Sequence, residues 1–121
     1  MSADPGLVAL ATEMIEPLGT PTVRAMMGGA TLYCDGIAFA IVALDALWFK
    51  ADADTDAEWD AAGAERFTYP RKDGRLASMN YRRAPDETYD DPDAFRRCAE
   101  LALAAGRRAA ARKKPRRTPR D

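Results

Sequence analysis

The stretch from Arg24 to Lys50 (RAMMGGATLYCDGIAFAIVALDALWFK) constrains the fold more than any other part of the chain. It holds the densest apolar sequence, two reverse-turn signals and the one Gly-Gly pair. Asp35-Gly36 lies between TLYC and IAFAIVAL, and Asp-Gly between apolar runs is the strongest short-range signal for a β-hairpin. A type I′ turn needs positive φ at both central residues, which glycine and aspartate adopt at low cost. Asp45-Ala46, between IVAL and LWFK, is a second and weaker turn. The spacing predicts a three-stranded antiparallel meander whose middle strand, Ile37 to Leu44, is apolar on both faces.

Charge is unevenly spread. The net charge is −1. Residues 107–121 carry eight Lys/Arg and one acid, which leaves ten bases against eighteen acids in residues 1–106. A body at −8 therefore joins a terminal segment at +7. Cys34 and Cys98 have no metal-ligand spacing, and the chain has no histidine. A zinc site is not expected from that spacing, and His-triad, His-metal and imidazole-switch chemistry are excluded. No basic leader and no apolar run of membrane-spanning length is visible, so a cytoplasmic protein with reduced thiols is expected.

Taken in order, Asp4-Pro5 reads as a helix start, because Asp caps well and Pro suits the first turn. Leu7, Leu10, Met14 and Leu18 recur at helical spacing, Pro17 and Gly19 end the helix, and Gly19-Thr20-Pro21 reads as a connector. After Lys50, five acids and no base occupy residues 52–60. Asp52-x-Asp54-x-Asp56 suggests calcium, but an EF-hand loop would need Gly and Glu where Ala57 and Gly63 stand. The stretch reads instead as a short helix with a Thr55–Glu58 capping box, a Trp59 anchor and a Gly63 C-cap. Residues 65–83 alternate like a hairpin turning at Lys72-Asp73-Gly74. Six bases (Arg66, Arg71, Lys72, Arg75, Arg82, Arg83) stand against Asp73 within residues 66–83 and read as a solvated face. Asp91-Pro92 opens a last helix with an apolar stripe of Phe95, Cys98, Ala99, Ala102 and Ala105. The Arg/Ala run beyond Gly106 extends it to about Lys114, where Pro115 stops it.

The fold class expected is α+β: helix, three-stranded antiparallel meander, helix, β-hairpin and C-terminal helix, a single sheet packed by helices. The domain spans 1–106, and 107–121 is a basic Arg/Lys/Ala-rich tail, helix end and then disordered.

The ordered set Arg24-Ala25-Met26-Met27-Gly28-Gly29, Leu32-Tyr33, Asp35-Gly36, Phe39-Ala40 and Leu47-Trp48-Phe49-Lys50 resembles the N-terminal domain of the TfoX/Sxy family. That family typically reads Arg-x-Met-Phe-Gly-Gly, with Met27 here in place of Phe. The likeness continues through Phe67-Thr68-Tyr69, Ser78-Met79-Asn80-Tyr81, Pro85 and Asp91-Pro92, roughly residues 7 to 106. It implies the same order of elements and a regulator of natural competence that works with the cyclic-AMP receptor protein at promoters. Full-length members add a C-terminal domain like helix-hairpin-helix DNA binders, for which this sequence has the basic segment, so a stand-alone N-terminal domain is expected.

Two functional readings follow. The first is a non-enzymatic regulatory module, transcription-linked, with a transcription factor or nucleic acid as partner. Its candidate nucleic-acid contacts are Arg107, Arg108, Arg112, Lys113, Lys114, Arg116, Arg117 and Arg120, since clustered bases bind phosphate by counterion release. The second is a small-molecule or anion-binding protein using Arg24, Gly28 and Gly29. The glycine pair lies before or within a strand rather than ahead of a helix, which favours a bulge or close backbone approach over a phosphate cradle. Arg24 could bind an anion or pair with the acidic body. Tyr33, Trp48, Tyr69 and Tyr81 could stack on bases, but strand aromatics ordinarily form core and cross-strand pairs. No catalytic residue, cofactor or metal is expected. Sheet edges and the apolar middle strand leave homodimerisation open.

Overall fold

A computed structural model describes residues 4–26 and 28–113. Helix α1 (Pro5–Ile15) passes through a 3₁₀ turn (Glu16–Leu18) into four strands: β1 (Pro21–Met26), β2 (Gly29–Cys34), β3 (Ile37–Ala43) and β4 (Ala46–Lys50). Helix α2 (Asp56–Ala61) follows, then β5 (Arg66–Pro70), β6 (Leu76–Arg83), a 3₁₀ turn (Asp86–Tyr89) and α3 (Pro92–Lys113). The strands form one six-stranded sheet in the order β1-β2-β3-β4-β6-β5, with every pair antiparallel. The class is α+β, a single sheet packed by helices.

The turn at Asp35-Gly36 forms where the sequence places it, with φ of 51° and 81°. The Asp35 carboxylate also accepts from the Thr20 N–H at 2.9 Å, which ties the turn to the start of β1. The next turn lies one residue earlier than expected, at Leu44-Asp45, with φ of 52° and 59°. Packing decides this. The observed register sets Val42 against Leu47 and Ile41 against Trp48, and a one-residue slip would send these side chains to the wrong faces. Leu44 accepts a left-handed conformation that a leucine resists, and its side chain is exposed.

The meander has four strands rather than three. The added strand, β1, pairs along its whole length with β2, from Pro21↔Cys34 to Met26↔Gly29. Five of its six residues are exposed, so backbone hydrogen bonds hold it with little burial, and it leaves no hydrophobic pattern. Pro21 stands at its first position, where a missing N–H is tolerated.

The sheet buries a cluster on each face. On one face, Leu32, Ala40, Val42, Leu47 and Phe49 meet Ala11 and Ile15 of α1, Trp59 of α2, and Phe95, Ala99 and Ala102 of α3. Phe49 stacks on Trp59 at 5.9 Å between centroids and meets Phe95 edge-on at 5.4 Å. The other cluster, Ile41, Ala43, Ala46, Trp48, Phe67 and Tyr81, contains no helical residue. Here the β5–β6 hairpin curls so that Phe67 meets Trp48 edge-on at 4.9 Å. This is why β3 is apolar on both faces.

Each helix differs in detail from its sequence pattern. Asp4 caps α1 as expected, accepting from the Gly6 N–H at 2.8 Å, but the residues seated deepest are Ala11 and Ile15. Leu7, Met14 and Leu18 only flank them. At α2 the Thr55 side chain does not cap the helix. Asp52 and Thr55 instead exchange bonds, the Asp52 N–H donating to Thr55 Oγ1 at 3.0 Å and the Thr55 N–H to Asp52 Oδ1 at 3.2 Å. Helix α3 runs through Gly106, where a Cβ would collide with the Ala38 carbonyl and lie 2.6 Å from Ile37 Cγ2. Glycine there lets the helix lie close on β3.

Candidate interaction surfaces

Arg24, Gly28 and Gly29 do not converge. Gly28 is an exposed turn residue at φ 80°, with nothing near the place a Cβ would occupy. Gly29 begins β2, and a Cβ on it would collide with the Val42 carbonyl. Close strand packing explains that glycine. Arg24 lies midway along β1, and the groove beside it, about 330 Å³, is lined by Thr22, Val23, Tyr33 and Gly36. Arg24 is exposed.

The basic segment divides. Arg108 is held by the body: its Nε donates to Asp52 Oδ2 at 2.7 Å and its Nη2 to Asp52 Oδ1 at 3.0 Å. Asp54 lies 3.3 Å from the same Nε. This two-pronged pairing, the strongest geometry a guanidinium and a carboxylate form, holds the Asp52 carboxyl below its ordinary range. It fastens the end of α3 to the loop before α2. Arg107 and Arg112 are exposed on α3, and Lys113 is its last residue. Lys114, Arg116, Arg117 and Arg120 lie outside the described residues.

Sequence reasoning placed Arg82 on a solvated face, and the structure buries it. Its side chain is 3% exposed. Nη1 donates to Asp60 Oδ1 at 2.8 Å and to the Ala64 carbonyl at 3.0 Å, while Nη2 donates to Asp56 Oδ1 at 3.2 Å. Asp56 also faces Arg66 at 3.5 Å, and Arg66 donates to Asn80 Oδ1 at 2.8 Å. The acidic run is thus a set of counterions, with Asp52 and Asp54 serving Arg108, and Asp56 and Asp60 serving Arg82. Among the described residues no three potential metal ligands gather. A hint was available: Arg82 alternates with Tyr81 in a strand whose neighbour β4 is buried on both faces.

The helix-free face carries Trp48, Phe67 and Tyr81. Trp48 lies under Phe67 and the Arg83 guanidinium, 5.7 Å from its ring. The Lys50 ammonium stands 5.0 Å over the Tyr81 ring, and burial pushes the Tyr81 phenol up. With Trp48 3% and Tyr81 7% exposed, neither offers a ring face for stacking. Tyr69, at 41%, does. Both cysteines are free. Burial raises the Cys34 thiol and pushes Cys98 up to about 11, which favours the protonated form of both near neutrality. Among the described residues no helix is long and apolar enough to cross a membrane.

These features define a small α+β domain: one antiparallel sheet, helices on one face, and surface charge partly drawn into internal pairs. The chain belongs to the family described as TfoX N-terminal domain, whose sequence pattern matches residues 13–106. No curated protein matches the chain. The match runs from within α1 to Gly106 and takes in the whole sheet.

Proposed function

We propose that this chain is a non-enzymatic regulatory module, linked to transcription, that associates weakly and without sequence preference with nucleic acid through its basic C-terminal segment. The family supports a regulatory role. The observation that carries the nucleic-acid part is the charge division, eight bases and one acid in residues 107–121 beside an acidic body. Arg108 is engaged internally, so the contact rests on Arg107, Arg112, Lys113, Lys114, Arg116, Arg117 and Arg120. Phosphate contacts of this kind carry no sequence information and weaken steeply with salt. The test is anisotropy of a labelled 20-base-pair duplex with the full chain and with a variant in which Arg112, Lys113, Lys114, Arg116, Arg117 and Arg120 are serine. Neutralising six bases flattens the slope of log K against log salt by about five. An unchanged slope sinks the tail reading.

A second reading is an anion site at Arg24. It is favoured by the groove beside that residue and by the lack of a carboxylate within ion-pair distance of it among the described residues. Inorganic phosphate or pyrophosphate that perturbs the Arg24 and Tyr33 amide resonances would support it, and unmoved resonances at millimolar anion would dismiss it.

A further inference from the structure

The hairpin of β5 and β6 outruns the sheet that carries it. Only Tyr81, Arg82 and Arg83 of β6 pair with β4, and one further bond, the Ala51 N–H to the Asn80 carbonyl at 2.8 Å, extends the contact. Beyond that point Phe67↔Met79, Thr68↔Ser78, Tyr69↔Ala77 and Pro70↔Leu76 pair as a bare two-stranded ribbon. Every residue from 68 to 76 is exposed. The tip is nonetheless built. The Arg71 N–H donates to the Arg75 carbonyl at 2.7 Å and the Gly74 N–H to the Arg71 carbonyl at 3.0 Å. The Asp73 carboxylate accepts from the Arg75 N–H at 3.0 Å.

Three cations, Arg71, Lys72 and Arg75, ring this tip. The one acid there, Asp73, is used in the turn and reaches the Arg75 guanidinium only at 3.7 Å, both side chains largely exposed. Such a pair contributes almost nothing in water. Arg71 and Lys72 have no carboxylate within ion-pair distance among the described residues. Behind the tip stand Leu76 at 72%, Tyr69 at 41% and Met79 at 38% exposure, half of the large apolar side chains left exposed among the described residues. At the base of the ribbon, Asp56 and Asp60 are turned towards Arg82 and Arg66.

We propose that the β5–β6 ribbon is a nucleic-acid-docking arm that enters the major groove of a duplex tip first, with Arg71, Lys72 and Arg75 on the flanking phosphates. The dimensions fit. A B-form major groove is about 12 Å wide and about 8.5 Å deep and admits a two-stranded ribbon. From Phe67 to Pro70 the strand rises about 10 Å, so the tip reaches the groove floor before the acidic body meets the backbone. Apolar side chains on both faces, Tyr69 and Met79 on one and Leu76 on the other, with cations ahead of them suit sugar and base edges beside phosphates. An acidic protein surface would satisfy the cations but supplies no groove for the ribbon to fill. This contact is separate from the C-terminal segment and does not depend on it.

The experiment uses the full chain, the same labelled duplex and salt from about 50 to 300 mM. Arg71→Ser/Lys72→Ser/Arg75→Ser lowers the salt slope by about two to three, the contribution of three phosphates. It weakens binding at least tenfold at 100 mM while the circular dichroism melt stays in place. Arg71→Lys/Arg75→Lys retains the slope, since phosphate contact needs charge alone. Tyr69→Ser weakens binding several-fold with no change of slope, as expected of a groove contact and not of charge. A triple serine variant with unchanged affinity and slope overturns the arm even if the serine tail abolishes binding, and the tail reading then stands alone. Loss with the ribbon variant but not with the serine tail has the reverse meaning. Ribbon-dependent capture of polyglutamate as tight as that of the duplex overturns the nucleic-acid assignment in favour of an acidic protein partner. A wild-type chain that does not bind at 50 mM salt overturns both contacts.

Discussion

The region around α2 and the tip of the β5–β6 ribbon are both dense in charge, and they use it oppositely. Around α2 the five acids of residues 52–60 stand beside Arg66, Arg82 and Arg108, and four of them lie in named ion pairs. At the ribbon tip three cations share one weakly held acid. The first region uses charge to hold elements together: Arg82 ties β6 to α2, and Arg108 ties α3 to the loop before it. The second presents charge outward on a support that needs none of it. A count of charges along the sequence does not separate these uses, whereas their partners do.

The largest effect expected from that contrast is at Arg82. Arg82→Ala leaves Asp56 without its buried partner and opens a void beneath the sheet. Breaking a buried pair costs about 3–5 kcal/mol. Asp60 is mostly solvated, which reduces the expected loss here to about 2–3 kcal/mol. Arg71→Ala, in the other region, should stay within about 0.5 kcal/mol of wild type. Urea midpoints measure both, and equal losses at the two sites would erase the distinction.

Next comes the turn that sets the meander. Gly36→Val forces a β-branched residue to φ 81°, with a cost of about 1–2 kcal/mol. A thermal midpoint unmoved by this change would mean that the backbone there is free to choose another turn.

A smaller and pH-dependent effect belongs to the Asp52–Arg108 contact. The folded protein holds the Asp52 carboxyl below its ordinary value of 3.8, chiefly through the Arg108 hydrogen bonds. A depressed pKa stabilises the fold above the unfolded value, and that contribution fades as pH falls through the folded one. Asp52→Asn should therefore lower the urea midpoint at pH 7 and flatten its decline below about pH 4. Identical pH profiles for the two proteins would show that the contact does not fasten α3.

The smallest effect expected is at the thiols, which lie away from both charged regions. With Cys98 at about 11 against an ordinary 9.0, the thiolate near neutrality is about a hundredfold scarcer than in a free cysteine. Labelling by a thiol reagent should be correspondingly slow in the folded chain, and labelling at the rate of the unfolded chain would contradict the burial of Cys34 and the partial burial of Cys98.

How far the fold and its surfaces were legible follows from the range of the forces involved. By itself the sequence determined what local chemistry decides: the Asp35-Gly36 hairpin, the Asp4-Pro5 and Asp91-Pro92 helix starts, the Trp59 anchor and the two-faced apolar strand β3. Caps, turn dihedrals and periodicity act over three or four residues and are written in neighbouring letters. The tertiary structure alone decided β1, which backbone pairing holds without an apolar pattern, and the placing of the Leu44-Asp45 turn, which facing strands select. It also decided which charges are internal. Asp52 and Arg108 are 56 residues apart and Asp56 and Arg82 are 26 apart, distances over which sequence carries no pairing signal. An arginine becomes a buried strut or an outward contact according to whether the fold brings it a carboxylate, because only a paired guanidinium can leave water without a large desolvation cost.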